Sequence, residues 1–313
     1  MYGIKILAIG SAVGNKLVTN DDLSKIVDTS DEWITTRTGI KTRYISDNLN
    51  TSDLAYLACK DMNVSFDDVD LIIVATITPD CSTPSTACLL QEKLGLNGKT
   101  VMAFDINAAC SGFVYALNIA TNMLQTYNKA LVIGADLMSK ITDYKDRNSC
   151  VLFADAASGV LIEKTNTLNY KFYANSIGDN NKILYANGLP LTNNLINNIN
   201  YEPFIRMNGQ EVFRFAVNAI PKAIKEVCND ITNIDLIIPH QANIRIIEYV
   251  SKKLNIPLDK FYCNLNKYGN TTAASVPLAL HDALKNKIIG KDSKIVLVAF
   301  GAGFTYASSY IEL

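Results

Sequence analysis

Residues 68–79 read DVDLIIVATITP, and residues 233–243 read NIDLIIPHQAN. Each is a short apolar run opened by Asp-Leu-Ile-Ile and left through a polar segment, the pattern of a strand buried on both faces that hands over to a helix. Downstream stand VMAFDINAACSGFVYAL (101–117) and DKFYCNLNKYGNTTAASVPLAL (259–280), each a strand, a turn and a helix rich in small residues. The parallel reads as a duplicated α/β unit. Convergence of unrelated buried strands produces the same pattern, so the residues alone leave that alternative open.

Further β-rich runs alternate with helical stretches: KILAIG, KALVIGA and VLFADAASGVLIE in the first half, KIVLVAFGAG in the second. The chain is therefore expected to be α/β with parallel or mixed sheets. At 313 residues it exceeds the size at which one core usually keeps growing. Two fused halves are expected, 1–165 carrying the cysteine discussed below and 166–313 carrying a histidine and an asparagine.

Lys and Arg number 29 against 30 Asp and Glu, so no overall field draws the chain to nucleic acid or a membrane surface. Seven cysteines stand apart from any CxxC spacing and only two histidines are present, His240 and His281, so no metal site is expected. MYGIKILAIGSAVG lacks a basic stretch followed by a long apolar core, and no apolar run approaches the roughly 20 residues that span a bilayer. A cytoplasmic protein with free thiols is the expectation.

In a duplicated α/β unit, equivalent strand ends meet where open sheets carry their sites. Cys110, His240 and Asn270 all fall at such strand-to-helix junctions. After Cys110, Phe113, Ala116, Leu117 and Ala120 recur at helical spacing, which places the thiol at a helix N-terminus, where ionisation is favoured. Ala108, Ala109 and Gly112 leave its approach open. Most free cysteines are small buried hydrophobes instead, the reading for Cys59, Cys88, Cys150 and Cys228. His281 reads as a packed or surface histidine, and Asn270 by itself is as readily a turn residue.

The blocks AACSGF, PHQANIRII, YGNTTAASVP and AFGAGFTYAS, with DEWITTRTGIKTRYI near the start, resemble the β-ketoacyl-acyl carrier protein synthase III family of the thiolase superfamily, in order and spacing along the whole chain. The resemblance implies a five-layered α-β-α-β-α fold built from two duplicated halves, and a homodimer. It implies a condensation that joins the acyl group of an acyl-CoA to malonyl-acyl carrier protein with release of CoA and CO2, starting fatty-acid synthesis, with no cofactor beyond the thioester substrates. Cys110 then matches the acylated nucleophile, and His240 and Asn270 match the pair serving the condensation. The main-chain N–H groups of Cys110 and Ala302 match the oxyanion donors.

The same resemblance assigns Trp33, Arg37 and Arg147 to the adenine end of CoA, and Met207, Gly209, Phe213 and Asn243 to the tunnel for its arm. A lone tryptophan is otherwise more often core. Arg214, Arg245, Lys252 and Lys253 match a basic patch for an acidic carrier protein, which needs only a local field; ordinary solvated helix faces look the same. Thr83 stands where many relatives have phenylalanine closing the acyl pocket across the dimer interface, which predicts room for a primer longer or more branched than acetyl.

Two departures stand out. LFADAASG (152–159) replaces LFGDGAGA, which predicts slightly altered packing beneath the site, and the Asn-rich stretch 178–201 reads as a surface insertion. Three rival readings remain: an acyltransferase on the same scaffold in a specialised pathway, a Cys-His hydrolase, and a non-catalytic partner subunit. An enolate has more use for Asn270 than simple acyl transfer does, and an inactive subunit has no use for the nucleophile.

Overall fold

A computed structural model describes residues 3–167, 169–179, 181–188 and 201–313. Residues 189–200 of the Asn-rich stretch, and Asn180 within it, lie outside the described residues. The strands in chain order are β1 (Gly3–Val13), β2 (Lys16–Thr19), β3 (Thr42–Ile45), β4 (Leu71–Ala75), β5 (Met102–Ile106), β6 (Lys129–Leu137), β7 (Asp155–Thr165), β8 (Tyr170–Ser176), β9 (Leu184–Ala186), β10 (Ile205–Met207), β11 (Leu236–Pro239), β12 (Lys294–Gly301) and β13 (Thr305–Glu312).

Two mixed sheets carry the fold, one in the order β1-β7-β6-β4-β5 and one in the order β8-β13-β12-β11. Their ladders match pair by pair. The pairs β1·β7 and β8·β13 are antiparallel, as are β6·β7 and β12·β13, whereas β4·β6 and β11·β12 are parallel. The repeat read between 68–79 and 233–243 is thus a repeated sheet, with β4 and β11 in the same place. One expected strand falls short. KFYCNLN contributes a single bridge from Phe261 to Ile237, in the place that β5 holds in the first sheet. Beyond Tyr262 the Gln241 side chain takes the Asn264 N–H, and the chain turns into the helix Leu265–Tyr268.

The layering follows from the two-residue period of buried strands. In β4, Leu71, Ile73 and Ala75 face the central core and Ile72 and Val74 the outer one. In β12, Ile295, Leu297 and Ala299 face the centre, and Val296, Val298 and Phe300 the opposite outer layer. Between the sheets lie the helices Gly112–Met123 and Ser275–Lys285, one from each repeat. Thr51–Asp61 covers the first sheet on its far side, and Gly209–Val227 with Ile244–Leu254 covers the second. The order is α-β-α-β-α. At about 1.5–3 kcal/mol for each buried Val, Leu or Ile, these two-sided strands supply much of the drive for stacking.

Each inner helix is entered through a tight elbow, the 3-10 turns Ala109–Ser111 and Thr272–Ala274. Ala109 and Thr272 open them at φ of 46° and 48°, a conformation that side chains rarely adopt. Both are held alike: the Ala109 N–H donates to Asn107 Oδ1 at 3.1 Å and the Thr272 N–H to Asn270 Oδ1 at 3.0 Å. Asn107 and Asn270 are therefore equivalent positions of the repeat.

The departures in 152–159 are absorbed locally. Ser158 Oγ donates to the Gly10 carbonyl at 2.8 Å, and Ala156 packs with Tyr268, Ala274 and Leu278. Cys59, Cys150 and Cys228 are buried as expected, but Cys88 is exposed, on the outward face of the helix Thr86–Lys93. His281 is packed, its Nδ1 3.0 Å from Ser11 Oγ and its Nε2 3.1 Å from Asp61.

Where β6 passes the second elbow, a Cβ on Gly134 lies 2.4 Å from the Ala273 carbonyl oxygen. Backbone on both sides leaves no room to yield. Gly134→Ala is expected to destabilise the chain by about 1–3 kcal/mol, measurable as a lower urea midpoint at unchanged slope.

Candidate active site

The strand-to-helix junctions open on one cavity of about 620 Å³. Cys110, His240 and Asn270 all line it, together with Gly301 and Ala302. Their exposures of 8%, 3% and 6% show that each is buried. The apolar wall includes Ile77, Ile141, Phe153, Leu184 and Ile205.

Cys110 lies in the elbow that enters Gly112–Met123, as the helical spacing predicts. Its resting charge differs from that expectation. Burial, and after it the negative charge of Asp136, push the thiol up to about 12, and the hydrogen bond at its own backbone opposes the rise only in part. Desolvation outweighs that hydrogen bond, so the unliganded residue is a neutral thiol.

His240 leaves β11 beside Phe300, with ring centroids 5.3 Å apart. Burial drives its pKa down to about 3, so the ring is neutral. Nδ1 lies 2.6 Å from Ser275 Oγ, which leaves Nε2 for a ligand. A hydroxyl both donates and accepts, so Ser275 supports either neutral tautomer of the ring.

Asn270 is fixed on three sides. Its N–H donates to Leu152 O at 2.9 Å, its carbonyl accepts from the Ala154 N–H at 3.0 Å, and its side-chain oxygen accepts from the Thr272 N–H. With Oδ1 occupied, the amide offers its NH2 group to the cavity, so Asn270 is a donor there.

The turn after β12 closes against the nucleophile. A Cβ on Gly301 lies 2.8 Å from Cys110 N, a contact only glycine permits. Thr305 Oγ1 stands 3.1 Å from the carbonyls of both Ala108 and Ala302, and Ser111 Oγ donates to Thr305 O at 3.2 Å. These contacts tie the Ala302 turn to the elbow that carries Cys110, and both residues line the cavity.

Met207, Gly209, Phe213 and Asn243 line the same cavity. Trp33, Arg37 and Arg147 form a separate cluster, with the guanidinium carbons 4.8 and 4.7 Å from the indole centroid. Asn243 joins the two groups, since its Nδ2 donates to the Arg37 carbonyl at 3.0 Å. The basic residues lie on the helices Gly209–Val227 and Ile244–Leu254. Arg214 pairs with Glu211 at 2.6 Å, Arg245 donates to Thr36 O, Lys253 donates to Val217 O and Asn218 Oδ1, and Lys252 is exposed. Thr83 is exposed and does not line the cavity of its own chain, whereas its neighbour Ser82 does.

Sequence reasoning did not single out Ser275, Thr272, Thr305 or Asp136. Only Asp136 carried a signal, a charge inside the apolar strand KALVIGADL.

A buried thiol, a neutral imidazole and a carboxamide donor around one apolar cavity between two repeated α/β halves define an enzyme that works through a covalent acyl-cysteine. The comparisons agree. Residues 104–181 match the profile of 3-oxoacyl-[acyl-carrier-protein] synthase III, and residues 229–313 match that of its C-terminal part. Curated β-ketoacyl-[acyl-carrier-protein] synthases III from Clostridium acetobutylicum and Clostridium botulinum strain 657 are 47% and 48% identical, over 100% and 98% of this chain and 99% and 97% of theirs. Among solved structures, 3-oxoacyl-[acyl-carrier-protein] synthase III of Aquifex aeolicus superposes with a TM-score of 0.90 at 41% identity, covering 99% of this chain and 100% of that one. The Thermus thermophilus enzyme gives 0.92 at 37%, covering 98% of each. This chain belongs to the β-ketoacyl-acyl carrier protein synthase III family.

With two histidines in the chain, the neutral ring is directly testable. In a 15N-histidine NMR titration the His240 resonances are expected to stay those of a neutral ring as pH falls through 6.5, the ordinary value, because the buried ring gains its proton only near 3.

Proposed function

We propose that the cavity condenses an acyl-CoA primer with malonyl-acyl carrier protein to give 3-oxoacyl-acyl carrier protein, CoA and CO2, the step that starts fatty-acid synthesis. The observation that carries this reading is the Asn270 amide, whose oxygen is committed to the Thr272 N–H and whose NH2 faces the site with neutral His240.

In the first half-reaction the Cys110 sulfur attacks the thioester carbonyl. Its proton passes to Nε2 of His240 while Nδ1–H donates to Ser275, and then leaves with CoA as the free thiol. The tetrahedral oxyanion takes hydrogen bonds from the N–H groups of Cys110 and Ala302, each worth about 2.7–4 kcal/mol when well placed. In the second half-reaction the malonyl carboxylate departs as CO2, and the electrons of the broken C–C bond form an enolate. No base is needed, because decarboxylation itself unmasks the carbanion. Between the half-reactions the ring exchanges its proton with solvent, losing it at Nδ1 and gaining one at Nε2. Ser275 then donates to Nδ1, so Nε2–H and the Asn270 NH2 both donate to the enolate oxygen. The carbanion attacks the acyl-cysteine, and the expelled sulfur takes a proton from solvent.

The line Trp33–Arg37–Asn243 marks the entry path, with Arg147 at its outer end. Indole and guanidinium groups suit a nucleotide base and phosphates. Arg214, Arg245, Lys252 and Lys253 suit the acidic carrier at the mouth. A homodimer forms along β5, the edge strand of the first sheet, where Met102 is 44% exposed. Asp105 on that strand accepts from the Thr86 and Ala87 N–H groups, which sets the loop bearing Thr83 beside the edge. We place the boundary between the halves at 165/166, between β7 and β8.

Mixing the protein with acyl-CoA is expected to add the acyl mass to Cys110 by mass spectrometry, and Cys110→Ala to abolish the adduct. Asn270→Ala should retain the adduct but slow CO2 release from malonyl-acyl carrier protein about 10²–10³-fold. Equal loss of both half-reactions in Asn270→Ala contradicts the assignment. A panel of primers tests Thr83: longer or branched acyl-CoAs are expected to exceed acetyl-CoA in kcat/KM, and an acetyl optimum contradicts it.

A further inference from the structure

Asp136, at the end of β6, is fully buried and plays no part in the steps above. Its two oxygens collect donors from both halves of the fold. Oδ1 accepts from the Ile77 N–H at 2.8 Å and from the hydroxyls of Thr76 and Thr78 at 3.1 Å. Oδ2 accepts from the Ala273 N–H at 3.2 Å and from the Thr272 hydroxyl.

The network is polarised toward the anion. Main-chain N–H groups only donate. Thr76 Oγ1 accepts from the Thr78 N–H and Thr78 Oγ1 accepts from the Leu137 N–H, which turns both hydroxyl hydrogens toward Asp136. Burial pushes the carboxyl above its ordinary value and these donors oppose the rise. Thr272 is also the residue whose N–H holds the Asn270 amide oxygen. Held by its hydroxyl on one side and donating its N–H on the other, Thr272 keeps the strained φ of 48° that aims that N–H at Asn270.

We propose that Asp136 is a positioning residue for the condensation step: through Thr272 it fixes the amide of Asn270 and so sets the second donor to the enolate. The inference rests on the reading of Asn270 given above. The same carboxylate supplies a readout that a merely structural role would not move. Its charge adds to burial in holding Cys110 as a thiol, so removing the charge favours the thiolate. The charge that acts on Cys110 is that of Asp136, from β6; neutral His240 and Lys140 line the same cavity.

Three variants separate the roles. Thr272→Val keeps shape, branching and the Asp136 charge but loses the hydroxyl. It is expected to retain Cys110 acylation by acyl-CoA while condensation falls about 10²-fold, and Thr272→Ser is expected to recover the rate. In Asp136→Asn, the pH profile of Cys110 alkylation by iodoacetamide should move to lower pH, with condensation falling as in Thr272→Val. Condensation at the wild-type rate in Thr272→Val overturns the proposal. So does an unshifted alkylation profile in folded Asp136→Asn, or loss of acylation and condensation together in Thr272→Val with a lowered melting temperature. Alkylation needs no substrate, and wild-type CO2 release is measured alongside, so failure of the functional reading is distinguishable from failure of this one.

Discussion

The structure depends on how closely main chain approaches main chain where the two elbows meet between the sheets. Gly134 lies against the Ala273 carbonyl, Gly301 against Cys110 N, and Gly112 between Ala75 and Ala273, each at a distance that a further carbon would crowd. Alanine, glycine and serine around the nucleophile are a consequence of that spacing. Larger residues would part the inner helices, and the groups that need to converge on one thioester would sit on separate surfaces.

Close packing of this kind buries the catalytic side chains, and that burial decides which chemistry is open to the site. Desolvation penalises every charged form, which is why the thiol is pushed up and the imidazole down. Both directions work against a pre-formed thiolate-imidazolium pair in the resting state. A reaction whose catalytic side chains stay neutral, and whose negative charge arrives on the substrate, fits this environment. Asp136, a buried carboxylate beside the site, is tolerated because five donors surround it.

Much of this was legible in the residues. The repeat of Asp-Leu-Ile-Ile gave the doubled sheet, because a strand buried on both faces has to be apolar throughout, and small residues after a strand marked the elbows. Cys110, His240 and Asn270 were readable as reactive types at junctions. What escaped were features that depend on who meets whom. Thr272 and Ser275 look like ordinary turn residues until Asp136 and His240 are brought to them from strands 136 and 35 residues away in the chain. The exposure of Cys88 escaped too, since burial of a small thiol depends on which way its helix is turned, and TACLLQEK has too little amphipathic contrast to say. KFYCNLN carried a strand pattern, but Gln241 claimed the Asn264 N–H that a longer ladder needs.

The asymmetry between the two elbows shows how a duplicated unit becomes an enzyme. Asn107 and Asn270 hold their own turns in the same way, through an oxygen bonded to the N–H two residues on. Three residues beyond each lie Cys110 and Ala273, so the first repeat carries sulfur where the second carries only a methyl group. Ala273 is buried, its backbone against Gly134 and its side chain close to Gly112. One elbow therefore supplies the nucleophile and the other the donor. Asn270 is buried and its N–H and carbonyl pair with Leu152 and Ala154, which lock it in register, whereas Asn107, at the end of β5, lines the same cavity but is exposed. Identical local geometry thus yields different chemistry, set by what each elbow packs against.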